Sequence, residues 1–501
     1  MTKKKQVVFI MTDTQRKDML TCYEDKGLQT PNLDRLAAEG IRFDRTYCCQ
    51  PVCGPARAAL FTGTFPHSNG SWGNSMPLGE TVKTLGQRLS DAGVHTAYIG
   101  KWHLDGGDYF GMGRCPEGWD ADYWYDMRNY LEELTEDERR ISRQAQTNRQ
   151  GIEADFTFAH RCSNRAADFI EKHQDEDFFL VVSYDEPHGP FLCPEPYASM
   201  YKDYAFPKTP GFYDYLEDKP DYQKQWSNGF YTQTPEEKEQ HEIRNPDYFG
   251  CHSFVDSEIG RVIDAVDQFA SDAMVIYTAD HGDMLGHHSI WSKGPAAYDD
   301  IANIPFLVRW PKTAPAASTT AQPVSHIDLT PTMLDFFGGE ISPILEGKSL
   351  LPCFRDPSEQ VNDAVFIEFG RYEIDHDGFG SFQPLRAIYD GRYKLSINLM
   401  SSDELYDLEE DPYELKNLID SAEHAKIRDR LHDRIIDWMN ETRDPFRGHY
   451  WLNRAWRHDT PEPSWDFTGY TRQREESTRY EPRQFDYDTG LEMTEAVRKK
   501  S

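Results

Sequence analysis

Short, almost uninterrupted apolar runs, separated by segments of helical periodicity, restrict what this chain can fold into more than any other feature. Val7 to Met11 is the first, followed by His95 to Ile99, Phe178 to Ser183, Ala273 to Thr278, Ile304 to Arg309 and Val365 to Phe369. Strands like these have no polar face, so they must be covered on both sides, as in a parallel sheet between two helix layers. The intervening segments supply those layers. Thr30-Pro31-Asn32-Leu33 reads as a helix start, with Thr30 as cap, Pro31 in the first turn, Leu33, Leu36 and Ala37 inward, and Gly40 at the end. A second helix is expected from Val82 to Ala92, with Val82, Leu85 and Leu89 on one side. Ala166, Phe169 and Ile170 mark a third, and Val255, Ile259, Val262, Ile263 and Val266 a longer fourth. The expected class is α/β, a large mixed and mostly parallel sheet between helices. Ligands of such sheets bind beyond the carboxyl ends of the strands.

The texture changes near Phe382. Arg386 to Leu395 and Glu404 to Leu408 read as short antiparallel strands around the turn pair Asp390-Gly391, followed by a helix with Ile427, Leu431, Ile435 and Trp438 on one face. With 501 residues the chain exceeds a single core, and the expected division is a catalytic domain, 1–381, and a smaller α+β domain with its tail, 382–501. Residues from about Tyr201 to Asn245 are aperiodic and aromatic and read as a long insertion near one end of the sheet. The tail from Arg443 is expected to wrap the surface or to serve an oligomer contact.

A net charge of −31 argues against nucleic acid or an anionic membrane as a partner. No apolar run has the length of a secretory signal core or a membrane span, so the expected location is the cytoplasm. Nine cysteines without a framework spacing fit reduced thiols there. Cys48, Cys49 and Cys53 lack the paired spacing of a structural zinc site and read instead as a reduced cluster with one special member.

That member is Cys53, in Cys53-Gly54-Pro55-Ala56-Arg57. Pro55 suits the first turn of a helix and Gly63 its end, which puts Cys53 at a helix N-terminus and Arg57 one turn on. A thiol so placed is acidified and reactive. The run, with its small-residue helix and Thr62-Gly63, resembles the core signature of the type I, formylglycine-dependent sulfatases of the alkaline phosphatase-like superfamily. Other blocks of that family stand in order. Met11-Thr12-Asp13-Thr14-Gln15-Arg16 follows the first strand, Gly100-Lys101-Trp102-His103 the second, Pro187-His188-Gly189-Pro190 the third and Thr278-Ala279-Asp280-His281-Gly282 the fourth. Ser292-Lys293-Gly294-Pro295 comes after them. The likeness covers roughly residues 6–420, and is strongest to uncharacterised bacterial sulfatases without an export signal.

The resemblance implies that Cys53 is oxidised to formylglycine by a maturation enzyme. One hydroxyl of the hydrated aldehyde attacks sulfur, and the other expels sulfate by re-forming the aldehyde. It implies that Arg57 orients the nucleophile, and that Lys101 and His103 hold sulfate oxygens and the formylglycine hydroxyl. His188 would contact sulfate or protonate the leaving alcohol, and Lys293 would bridge sulfate and the leaving oxygen. His288 is a further candidate substrate contact. Asp13, Asp280, His281 and the modified Cys53 would bind one divalent metal, calcium first, with manganese or magnesium as alternatives. Where the family has a second acid, this chain has Thr14, so Thr14, Gln15 or water is left to complete the shell. The expected activity is hydrolysis of a sulfate monoester of a small sulfated sugar or metabolite. A phosphonate or phosphate ester hydrolase on the same scaffold is the first alternative. A binding protein lacking the modification is the second, against which the intact set of ligands and cations argues.

Overall fold

The computed structural model describes residues 4–74, 76–106, 109–144, 147–148, 151–373, 380–457 and 459–460. Its organising element is β1 (Gln6–Thr12), in which every residue is buried. The other strands of the large sheet are β2 (Ile41–Tyr47), β3 (His95–Gly100), β4 (Phe178–Ser183), β5 (Met274–Ala279), β6 (Asn303–Arg309), β7 (Ser318–Thr320) and β8 (Val324–Ser325). Among the described residues they lie in the order β3-β4-β1-β5-β6-β2-β7, with β8 also on β2. All pairs are parallel except those of β6, which runs against both β5 and β2. The sheet is thus mixed and mostly parallel, as the apolar runs require. The reversal at β6 has a consequence for chemistry. It places the carboxyl ends of β1 to β5 and the chain entering β6 on one edge.

Alternate residues of β1 face two separate cores. Val8 and Ile10 pack with α1 (Pro31–Ala38), α4 (Phe158–Lys172) and α5 (Pro246–Phe269) through Leu33, Phe169 and Ile259. Val7, Phe9 and Met11 pack with α2 (Cys53–Thr62), α3 (Leu85–Asp91) and α6 (Leu329–Phe337) through Leu60, Leu89 and Met333. Two local expectations change. The helix expected from Val82 starts instead at Leu85, where the Gln87 side chain reaches back to accept from the Thr84 backbone N–H at 2.8 Å. Thr30 precedes α1 but does not cap it with its side chain. The carboxylate of Asp256 on α5 accepts from the backbone N–H groups of Asn32 (3.1 Å) and Leu33 (2.9 Å) instead.

The smaller sheet is antiparallel, ordered β12-β11-β10-β9: β9 (Val365–Arg371), β10 (Phe382–Tyr389), β11 (Tyr393–Asn398) and β12 (Glu404–Asp407). The run at Val365, expected in the large sheet, is therefore the edge strand of the small one, paired with β10 at Ile367↔Ala387. An apolar run reads the same in either sheet, and only the partner strand distinguishes them. The small sheet thus begins before the boundary expected at residue 382. Its face is covered by α7 (Ala425–Glu441), where Trp438 stacks on Phe366 with ring centres 4.7 Å apart. The start of the tail packs here too. Asp444 pairs with buried Arg386, and Trp451 is buried beside it. Residues 461–501, most of the tail, lie outside the described residues.

Gly100 ends β3 with φ 123°, and a Cβ there would lie 1.9 Å from the Ser183 carbonyl oxygen. This contact lets Lys101 donate its backbone N–H to Ser183 O at 2.7 Å. Gly100→Ala is expected to cost about 3 kcal/mol, from backbone strain plus overpacking, read as a lowered urea midpoint at unchanged slope.

Candidate active site

Asp13 follows β1, Lys101 and His103 follow β3, Asp185 and His188 follow β4, and Asp280 and His281 follow β5. Lys293 lies on the stretch leading to β6. The shared edge of the sheet brings them together around the N-terminus of α2. Cys53 is the first residue of α2, and Val52 before it is extended. The backbone N–H of Gly54 at the free helix end donates to Asn74 Oδ1 at 2.9 Å.

The Cys53 sulfur lies 3.2 Å from His281 Nε2 and 3.7 Å from Asp13 Oδ1, and Lys293 Nζ donates to it at 2.8 Å. Burial and Asp13 push the thiol up, but Lys293, Lys101 and His281 more than reverse this and bring it to about 5. Cys48 and Cys49, buried without such cations, are pushed well above the thiol range by desolvation. The special member of the cysteine cluster is thus distinguished by its charged neighbours, not by burial.

Arg57 is completely buried on the same helix. Its Nε donates to Asp280 Oδ2 at 3.0 Å and one Nη to Asp13 Oδ2 at 3.3 Å. The other Nη donates to Lys101 O at 2.7 Å and Ser183 Oγ at 2.8 Å. Lys101 Nζ lies 2.7 Å from Asp13 Oδ2 and 2.9 Å from Asp185 Oδ1. The two buried carboxylates separate in affinity for protons. Desolvation and Asp13 raise Asp280 to about 6, whereas Lys101 and its neighbouring cations overcome burial and hold Asp13 well below the carboxylate range.

Asp13, Cys53, Asp280 and His281 offer ligand atoms that all lie within 4.8 Å of one another. His281 Nδ1 faces the Gly282 carbonyl at 2.9 Å, which commits its proton there and leaves the Nε2 lone pair toward the cluster. Two buried carboxylates, an imidazole lone pair and the residue 53 side chain suit a divalent cation, so the donor set fits the metal the resemblance implies. Thr14 does not extend it. Held at φ 59°, its hydroxyl turns back to Asp13 Oδ1 at 2.6 Å. Gln15 is engaged elsewhere, its amide oxygen accepting from Thr12 Oγ1 and its amide nitrogen 2.8 Å from His252 Nδ1.

His103 and His188 flank the cluster around Tyr109. Burial and then Lys101 push His103 down to about 3, and its Nδ1 is sealed from solvent without a hydrogen-bond partner. Burial pushes His188 down to about 4, so the resting imidazole is neutral. Its Nδ1 lies 3.1 Å from Tyr109 Oη and 2.9 Å from Gly189 O. Tyr109 in turn donates to Asp185 and accepts from Lys101 at 2.6 Å. Asp185 and Tyr109 were not read from the sequence. Asp185 had a usable signal, an acid two residues past a strand, whereas nothing local marks Tyr109.

His288 is placed differently from its expected role. It stacks on Tyr298 with ring centres 3.9 Å apart, and its Nδ1 lies 2.7 Å from Asp214 Oδ2. Its polar contacts are internal. The 201–245 insertion reaches the same place. Buried Lys238 donates to Asp214 O at 2.7 Å and Ser289 Oγ at 2.6 Å, bracing the loop that leads to Lys293.

An acidified cysteine at a helix start, beside an acidic and histidine cluster on the carboxyl edge of a mixed sheet, has the arrangement of an ester hydrolase with the alkaline phosphatase-like fold. The chain belongs to the sulfatase family. The sulfatase family model matches residues 5–339, and the N-sulphoglucosamine sulphohydrolase C-terminal model matches residues 286–441. It is similar to the uncharacterized sulfatase YidJ of Escherichia coli (strain K12), 46% identical over 98% of this chain and 97% of that one. A protein solved in complex with its substrate D-glucosamine-2-N,6-O-disulfate superposes at TM-score 0.72 and 23% identity, over 89% of this chain and 99% of that one. The phosphonate monoester hydrolase of Silicibacter pomeroyi superposes at 0.70 and 23%, over 88% and 96%. At that identity the two structures share the fold. The chain is an enzyme, a sulfuric ester hydrolase.

Arg57→Leu is expected to destabilise the protein by about 3–5 kcal/mol, because it leaves Asp13 and Asp280 buried without their shared cation. Urea unfolding of the variant against the parent measures it.

Proposed function

We propose that the enzyme hydrolyses the sulfate monoester of a small sulfated sugar or metabolite, with residue 53 converted to formylglycine and one divalent cation, calcium first, at Asp13, Asp280 and His281. The observation that carries this reading is the position of Cys53 Sγ, inside the acidic and histidine cluster and 2.8 Å from the Lys293 ammonium. A nucleophile there meets a sulfate flanked by cations, although the whole chain carries −31. A bound cation would polarise a sulfate oxygen and favour the ionised nucleophile. The geminal diol of formylglycine would supply one hydroxyl to attack sulfur and a second to release sulfate.

The residues around it divide the remaining work. Arg57, held by both carboxylates, fixes residue 53 and offsets its charge. Lys101 and His103 take sulfate oxygens. Before maturation, Cys53 and the nearby acids outweigh burial and hold Lys293 well above the usual lysine range, and Asp13 and Asp280 still face it once residue 53 is converted. Lys293 is therefore placed to stabilise the leaving oxygen as negative charge develops. His188, neutral at rest, hydrogen-bonds sulfate or passes a proton to the leaving alcohol once the anion is bound. Thr14 acts on Asp13 rather than on the cation, which leaves water to fill the coordination shell.

Peptide mass across residue 53 of active enzyme is expected to show sulfur and two hydrogens lost and one oxygen gained. Active protein with an unmodified thiol would refute the mechanism. Cys53→Ala should lose about a thousandfold or more in turnover of an aryl sulfate while melting normally. Faster turnover of an aryl phosphonate monoester than of the aryl sulfate would move the assignment to the phosphonate branch. Chelation followed by dialysis should remove activity, and calcium should restore it better than magnesium or manganese; the reverse order would reassign the ion.

A further inference from the structure

At the opposite end of β3 from Lys101, three side chains converge that the sulfatase chemistry does not use. His95 opens the strand, His173 follows α4, and Glu176 lies in the turn before β4. Their ligand atoms all fall within 4.8 Å of one another. His95 Nδ1 lies 3.1 Å from one Glu176 oxygen and His173 Nδ1 3.2 Å from the other. The two imidazoles cross nearly at right angles, ring centres 4.5 Å apart.

The partners of the ring nitrogens are the informative part. His95 Nε2 lies 2.7 Å from Asp120 Oδ2, and that carboxylate takes its N–H. Its other ring nitrogen, Nδ1, faces Glu176 Oε2 at 3.1 Å, so His95 stands between two carboxylates. His173 turns Nδ1 into the same group. Its Nδ1 is sealed from solvent and makes no well-aligned hydrogen bond among the described residues, with a Glu176 oxygen 3.2 Å away. Its Nε2 is 3.3 Å from the Tyr123 hydroxyl. A buried imidazole nitrogen without a hydrogen bond, beside a second imidazole nitrogen and a carboxylate, is a donor arrangement that a divalent cation would satisfy. Ligands about 2.0–2.1 Å from a tetrahedral zinc stand about 3.4 Å apart, close to these separations. Each histidine also has a partner on its far nitrogen, the outer arrangement that orients metal-bound imidazoles.

We infer that His95, His173 and Glu176 form a second metal site, for a zinc-type divalent cation, with water as its fourth ligand and Asp120 fixing His95. Two nitrogens and one carboxylate select a borderline cation over calcium. The site lies about 17 Å along β3 from the active-site edge, too far for a part in the chemistry. It ties the start of β3 to the turn between α4 and β4. Its effect is on stability.

The test is zinc titration of chelator-stripped full-length protein refilled with excess calcium, at pH 7.5, by calorimetry and by metal content after gel filtration. The parent should retain one more zinc than His173→Asn or Glu176→Gln. Zinc should raise the parent's melting temperature but not the variants', and aryl sulfatase turnover should be equal in all three. Removing a ligand should weaken zinc binding by about tenfold or more. Equal zinc content and an equal melting response in parent and variants would overturn the site, as would no zinc retained by the parent. His95→Asn is the second variant should either of the others fail to fold.

Discussion

The buried guanidinium of Arg57 is the contact on which the rest of the catalytic edge depends. It lies between Asp13 and Asp280, the acids that end two adjacent parallel strands, and reaches the backbone of Lys101 on a third. Carboxylates brought this close in a dry interior would repel, and one would be protonated. Against burial, Lys101 and then Lys293 hold Asp13 ionised, while Arg57 bridges it to Asp280. Three cations and the carboxylates Asp13, Asp185 and Asp280 thus balance locally. Such a cluster is costly to desolvate and gains its value from geometry rather than stability. It holds the residue 53 side chain in a fixed field.

That geometry is carried by supports away from the chemistry. Gly100 lets β3 approach β4 closely enough for Lys101 to be anchored on Ser183. The aromatic insertion, through Phe206 and Phe212, builds a small core with Phe249 of α5 and braces the loop of His288 and Ser289. His288 joins this brace through Asp214 and Tyr298, so its histidine character serves an internal pairing. On the other side, Trp438 of α7 contacts both Phe65, just past α2, and the small sheet.

The sheet, its helix layers and the residues following each strand were legible because they rest on local rules. Uniform apolar runs demand burial on both faces, and chemistry gathers at the carboxyl ends of parallel strands. Cys53 at a helix start was equally legible, since Pro55 and Gly63 bracket that helix. Less legible were features fixed by partners distant in sequence. The strand at Val365 needed β10 to declare its sheet, and the cap of α1 came from Asp256, more than two hundred residues away. Tyr109 has no local signature, and only the fold brings it between Lys101, Asp185 and His188.

By itself the sequence determined the class of fold, the sulfatase likeness and the place of Cys53 at a helix start, because each is written in short patterns of residue type. Tertiary structure alone decided the protonation balance of the cluster, since a pKa follows from which charges face one another and how much water is removed. It turned Thr14 onto Asp13, drew His288 into the support, and recruited Asp185 and Tyr109. At the far end of β3 it brought two histidines to one glutamate, a meeting that no spacing along the chain foretells.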